Sequence, residues 1–145
     1  MRVLKRHGYE VVASDLVRYD GADDGICGGV DFFLEHHVPD GVSAIFTNPP
    51  FKVSDSFIRH GLGLGLRVIV LLRAMAIEGA GRSDLIDGHL RRYWVGIDRP
   101  PAMHRDGWAG NKLASSGAPF AFFDFSPAVR PANEPIELHR FWWRK

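Results

Sequence analysis

An α/β fold built on a largely parallel sheet is predicted by three features of this 145-residue chain. Short apolar, β-branched runs alternate with segments of helical spacing, the pattern of strand–helix units. Turn residues, chiefly Gly, Pro, Asn and Asp, punctuate nearly every junction. The length suits one modest domain, residues 1–145, with material for one core but not two.

Taken in order, residues 1–7 (MRVLKRH) read as the end of a helix, with basic residues in the last turn and Gly8 at the stop. Residues 9–14 (YEVVAS) form a β-branched strand that delivers Asp15. Residues 17–29 are a loop loaded with Asp and Gly, and 30–33 resume briefly as apolar chain. Residues 44–47 (AIFT) are the next buried strand, stopped by Asn48-Pro49-Pro50-Phe51, because neither proline can donate to a sheet ladder. Ser54-Asp55 can cap a helix over 56–64, with Phe57, Ile58, Gly61 and Leu62 at helical spacing.

Residues 67–72 (RVIVLL) are the most strand-like run and should lie centrally in the sheet. Residues 83–90 read as a short helix, followed by a strand over 93–97. Residues 99–116 (RPPAMHRDGWAGNKLASS) form a long Pro- and Gly-rich loop, of a length usually tied to function. Two last strands, 119–125 and 137–142, are expected to pair as a C-terminal antiparallel hairpin.

Composition removes several function classes. Hydrophobic residues make up 46% and charged ones 24%, as in an ordinary globular protein, and the net charge of +1 advertises no nucleic acid globally. The charge is unevenly spread: residues 1–90 hold 9 Lys/Arg against 12 Asp/Glu, and 91–145 hold 9 against 5. The basic end suits a phosphate backbone, and equally a solvated surface. One cysteine, Cys27, excludes a disulfide framework within the chain and fits a reducing compartment. The seven histidines have no metal-ligand spacing. No signal peptide or run of transmembrane length is visible, so the expected setting is cytoplasmic, with no membrane partner.

In open α/β sheets ligands bind beyond the carboxyl ends of the strands, so Asp15, Asp31 and Asn48 should meet at that edge. Asp15 is a candidate for ribose hydroxyls, although many strands end in Asp for turn reasons alone. The Asn48–Phe51 element is sharper. Its prolines expose carbonyls without strand partners, so the Asn48 side-chain oxygen and the Pro49 carbonyl can converge on one –NH₂ group. Phe51 offers a flat face to a planar base. Two acceptors holding an exocyclic amine favour a pyramidal nitrogen, most strongly in the transition state, which makes it a better nucleophile.

These residues, IFTNPPF at 45–51, resemble motif IV of the S-adenosylmethionine-dependent amino-methyltransferases, specifically the N6-adenine DNA type. The surrounding chain is similar to small phage and prophage proteins of that group, from Gly8 to about Phe125. The resemblance implies a Rossmann-like class I methyltransferase fold. It implies catalytic roles for Asn48, Pro49, Pro50 and Phe51, with Asn48 also near the methyl donor. "GYEVVASDL" is similar to the strand whose Asp binds the donor's ribose, implying that role for Asp15 with Leu16 beside it. "GVDFF" resembles the next cofactor segment, in which Asp31 would bond the adenine amino group and Phe32 would pack on that ring. "VIVLLRAMAIEG" is similar to the following central strand.

In the resembling enzymes a first strand and a glycine-rich turn of the "DPACGDG" kind precede this segment. The sequence here starts at Met1 in what corresponds to the first helix, and Gly25–Gly29 (GICGG) follows the Asp15 strand and cannot substitute. The expectation is therefore an N-terminally truncated domain, short of roughly forty residues at usual element lengths, whose sheet has an unfilled slot or an exposed edge.

The implied activity is methyl transfer from S-adenosylmethionine to the N6 amino group of adenine in DNA, with the base flipped out of the stack. His104, Arg105, Trp108 and Lys112 in the long loop are the candidates for DNA contact, with a solvated loop as their ordinary alternative. An exocyclic guanine amine in RNA or a glutamine amide in a protein could be held by the same grip. Phe rather than Tyr at 51 argues mildly against the protein substrate. A different class of reading is a non-enzymatic remnant that binds nucleic acid weakly.

Overall fold

A computed structural model describes residues 2–18, 25–100 and 116–143. The chain is α/β and divides into two compact units, Met1–Val38 and Pro39–Lys145.

The first unit holds helix α1 (Arg2–Arg6) and a two-stranded parallel sheet of β1 (Ala13–Asp15) and β2 (Ile26–Gly28). Its strand β1 is shorter than the apolar run 9–14, and β2 lies inside the stretch expected to be loop. The backbone runs so close there that a Cβ on Gly28 would meet Arg18 Cα at 2.8 Å, so only glycine fits. A 3-10 turn, Phe32–Leu34, follows. None of the described residues from 2 to 38 is buried.

The second unit carries a five-stranded sheet: β3 (Ala44–Thr47), β4 (Arg67–Arg73), β5 (Leu90–Gly96), β6 (Phe120–Phe125) and β7 (Glu137–Phe141), in the order β3-β4-β6-β5-β7. β3 is parallel to β4, β7 is parallel to β5, and β6 is antiparallel to both β4 and β5. The sheet is thus mixed rather than mostly parallel, although β6 alone runs against the other four. The C-terminal hairpin does not form. β5 enters between β6 and β7, and its Arg92 bonds Asp124 on one neighbour and Glu137 on the other. β7 lies on the far side of β5, held by a parallel ladder from Arg92/Glu137 to Gly96/Phe141, and the chain leaving β6 returns to the end of a helix through Ser126 N to His89 O (2.9 Å).

Alternation along β4 sorts the sheet into two faces. Val68, Val70 and Leu72 face a core with Ala121, Phe123, Phe125 and Leu90. Two helices close it: α2 (Ser54–Gly63) through Ile58, and α3 (Ser83–His89) through Leu85 and Ile86. At about 25 cal/mol per Å² of apolar surface, these side chains dominate the unit's stability. α2 starts two residues before its expected first residue, Ser56, and so takes in its expected cap. Ser54 is inside the helix, and its Oγ donates to the Phe51 carbonyl at 3.1 Å. Arg59 and Asp84 tie α2 to α3 through two hydrogen bonds, one of 2.9 Å. That pairing holds the exposed Asp84 carboxylate down to about 2.

The opposite face carries Phe46, Ile69, Leu71, Phe122, Trp94 and Phe141, none of them buried. Phe122 packs against Phe46 at 5.4 Å and Phe141 at 5.6 Å between ring centroids, and Trp94 stacks on His139 at 4.1 Å. No helix of the described residues is long and apolar enough to cross a membrane.

Candidate functional site

The site is built where β3 and β4 end. Thr47 pairs with Val70, so β4 runs three residues farther and delivers Arg73 alongside the chain that leaves β3. Asn48 is exposed and Pro49 is buried, which fixes the turn from below and leaves the amide at the surface. Pro50 accepts from Val53 N at 3.0 Å and opens the 3-10 turn Phe51–Val53 that leads into α2. Among the described residues the Asn48 amide makes no hydrogen bond and no backbone donor reaches the Pro49 carbonyl. Both acceptors thus lack a protein partner among the described residues, the Asn48 amide at the surface and the Pro49 carbonyl in a buried residue, where an unsatisfied acceptor carries a cost that a ligand can remove.

Phe51 is 50% exposed. Its ring lies 6.2 Å from that of Phe120, which sits opposite Arg73 in the β4–β6 register. The guanidinium carbon of Arg73 lies over the Phe51 ring, 5.1 Å from its centroid, within the range of a cation–π contact. The floor beneath is rigid. Ala74 N donates to the Pro119 carbonyl at 2.9 Å, and Tyr93 OH donates to the Ala74 carbonyl at 3.0 Å. Burial pushes the Tyr93 phenol above its usual value, so it is a neutral donor at any physiological pH. On the α2 side, Arg82 bridges Asp55 (3.2 Å) and the Ala76 carbonyl (3.1 Å), locking the two turns after β3 and β4 together.

The neck of the long loop opens at the same edge. Ser116 N donates to the Pro100 carbonyl at 2.9 Å, and Arg99 donates to the Gly117 carbonyl at 3.1 Å, two residues before Pro119. His104, Arg105, Trp108 and Lys112 lie outside the described residues.

In the first unit, Asp15 and Asp31 are brought to the carboxyl edge of the β1–β2 pair, where Val30 N bonds the Asp15 carbonyl at 3.0 Å. Each carboxylate closes its own turn: Asp15 Oδ1 accepts from Val17 N at 2.9 Å and Asp31 Oδ1 from Phe33 N at 3.0 Å. The turn-forming role weighed for such aspartates is thus present in both. It engages one oxygen of each and leaves the other without a partner among the described residues. Leu16 is exposed, and Phe32 is half-buried against Phe33 with ring centroids 6.1 Å apart. Among the described residues no three His, Cys, Asp or Glu gather as a metal site.

Sequence reasoning missed Arg73 and Phe120. The available signal was that the run RVIVLL is closed by a further Arg at its carboxyl end, where an exposed strand terminus meets a ligand edge. Neither the protein-family models nor the curated proteins compared with this chain give a match.

Proposed function

We propose that the chain is an S-adenosylmethionine-dependent methyltransferase with a Rossmann-like class I architecture, acting on the N6 amino group of adenine in DNA. The observation that carries this reading is the pair of acceptors at Asn48 and Pro49 with no protein partner among the described residues, beside a half-exposed Phe51 at the carboxyl end of β3. Asn48 Oδ1 and the Pro49 carbonyl accept the two N6–H bonds of a flipped adenine, whose ring stacks on Phe51. The grip holds the nitrogen lone pair in line for displacement, so positioning supplies much of the rate. As the N–C bond forms and the methyl's bond to sulfur breaks, leaving a neutral thioether, the N6–H groups become more acidic and these hydrogen bonds strengthen; the surplus proton then leaves to solvent.

The methyl donor when bound supplies an electrophilic sulfonium methyl. The residues that fit it are Asp15 and Asp31, each with one carboxylate oxygen free for a hydroxyl or amino donor, together with Leu16 and Phe32 as apolar flanks. A reducing, cytoplasmic setting agrees with the exposed free thiol of Cys27. DNA contact by the loop residues His104, Arg105, Trp108 and Lys112 belongs to the same proposal.

One observation favours a second reading. The unit with Asp15 and Asp31 has no buried residue among those described, so its own packing is weak and the chain could retain the base grip without holding a donor. Such a remnant would bind nucleic acid and transfer nothing. Calorimetric titration with S-adenosylmethionine separates the two, followed by labelled methyl transfer offered to adenine DNA, structured RNA and a glutamine peptide. The proposal expects micromolar donor binding, weakened by Asp15→Ala, and label in DNA that is recovered as N6-methyladenine. Absence of donor binding leaves the remnant, and label in guanine or glutamine replaces adenine as the substrate.

A further inference from the structure

The cation over Phe51 has a chemistry the base grip does not use. Arg59, Arg67, Arg82, Arg91 and Arg92 in the same unit each lie within 4 Å of a carboxylate oxygen. Arg73 has no acidic partner and no hydrogen bond among the described residues; its contact is the Phe51 ring. The ring holds the guanidinium beside the Asn48–Phe51 turn, and its donors remain available to a ligand. A guanidinium matches a phosphate in fork geometry, stays charged at every working pH, and loses little on leaving a weakly hydrated state. Nearby, Lys52 adds a second exposed cation one residue after Phe51.

We infer that Arg73 is the phosphate-contacting residue of this site: stacked on Phe51, it donates to the backbone phosphate flanking the base that the ring receives. This deepens the proposed function and rests on it, because it makes the substrate a nucleic acid strand rather than a neutral glutamine side chain. Arg73 then covers part of the ring, and the base stacks on the part of Phe51 that stays exposed. It selects for a polyanion and contributes nothing to the choice of base, the usual division between phosphate and base contacts.

The test is a salt titration of a fluorescently labelled single-stranded oligodeoxynucleotide, one version containing adenine and one all thymine. The whole chain is compared with Arg73→Ala, Arg73→Lys and Asn48→Ala, each checked by thermal melting. Arg73→Ala is expected to weaken both strands equally, roughly three- to tenfold. It should also flatten the slope of log affinity against log salt by about 0.7, the loss of one phosphate contact on a single strand. Arg73→Lys should restore the slope. Unchanged slope and affinity in Arg73→Ala with an unchanged melt overturn the inference, as does no binding of either strand by the unsubstituted chain. Asn48→Ala reports separately: it should reduce adenine preference, because one of the two acceptors is lost, and leave the slope alone. If the unsubstituted chain shows no adenine preference while Arg73→Ala still flattens the slope, the base grip fails and the phosphate contact stands.

Discussion

β4 begins and ends with an arginine on the same face of the sheet, and the two ends are built on opposite principles. At the amino edge, Arg67 forms a two-pronged pair with Asp124 at 2.7 and 2.6 Å. Asp124 is 2% exposed, and Arg92 reaches it from the other side at 3.3 Å before continuing to Glu137. At the carboxyl edge Arg73 has an aromatic ring and no carboxylate. One end neutralises a buried charge; the other presents unspent donors beside two unspent acceptors. Exposed polar groups without a protein partner add little to stability, which leaves those at the carboxyl edge available to a ligand.

The largest effect should come from breaking the amino edge. Arg67→Ala combined with Arg92→Ala strands Asp124 as a buried carboxylate with no cation, which should cost about 3 kcal/mol in denaturant unfolding. Adding Asp124→Asn to that variant should recover part of the loss, because the charge itself carries the penalty. A smaller effect is expected at the carboxyl end of β5. A Cβ on Gly96 would collide with the Trp143 indole and lie 2.6 Å from the Asp98 carbonyl oxygen. Asp98 also accepts from Trp143 N at 2.8 Å, so the segment cannot simply move away, and Gly96→Ala should cost about 2 kcal/mol by thermal or chemical unfolding. Arg73→Ala should stay within about 0.5 kcal/mol, as expected of an exposed position away from the core.

The smallest effect is acid sensitivity of the amino edge. Hydrogen bonds from His139 and then Arg92 hold the Glu137 carboxyl below its ordinary value. A lowered value means that the native state binds fewer protons than the unfolded chain, so this stabilisation is complete above the ordinary carboxylate range and is lost as pH falls through it. The melting temperature of the intact chain should therefore fall somewhat more between about pH 6 and pH 3 than that of Glu137→Gln, which removes the titrating group. Equal slopes would show that the exposed pair is screened to nothing.

Much of the second unit was legible in the sequence because local patterning and tertiary burial agree there. The run AIFT ends just before Pro49-Pro50 removes ladder donors, and β3 has those bounds. RVIVLL alternates into a buried face, and β4 follows it with one residue more. Less was legible where a strand is held by partners far away in the chain. β2 has only Ile26 as a strongly apolar residue among Gly and Cys, so its pairing with β1 leaves no pattern to read. β7 was expected beside β6 because neighbours in sequence usually pair, but Arg92 bridges Asp124 and Glu137 from between them. In the candidate site, Asn48 to Phe51 announced themselves by an unusual residue order. Arg73 did not, since an arginine closing a strand is common, and only its position over Phe51 sets it apart.

The central claim is that the carboxyl edge of β3 and β4 grips an exocyclic amino group. It is tested most directly by measuring the affinity for a single-stranded oligonucleotide carrying adenine at one position against the same strand carrying purine, which lacks only that group. With two hydrogen bonds at stake, the chain should prefer adenine by roughly tenfold or more, and Asn48→Ala, which removes one of the two acceptors, should reduce the preference while leaving purine affinity unchanged. Equal affinity for the two strands in the unsubstituted chain would contradict the account, because it would mean that Asn48 and Pro49 do not touch the amine.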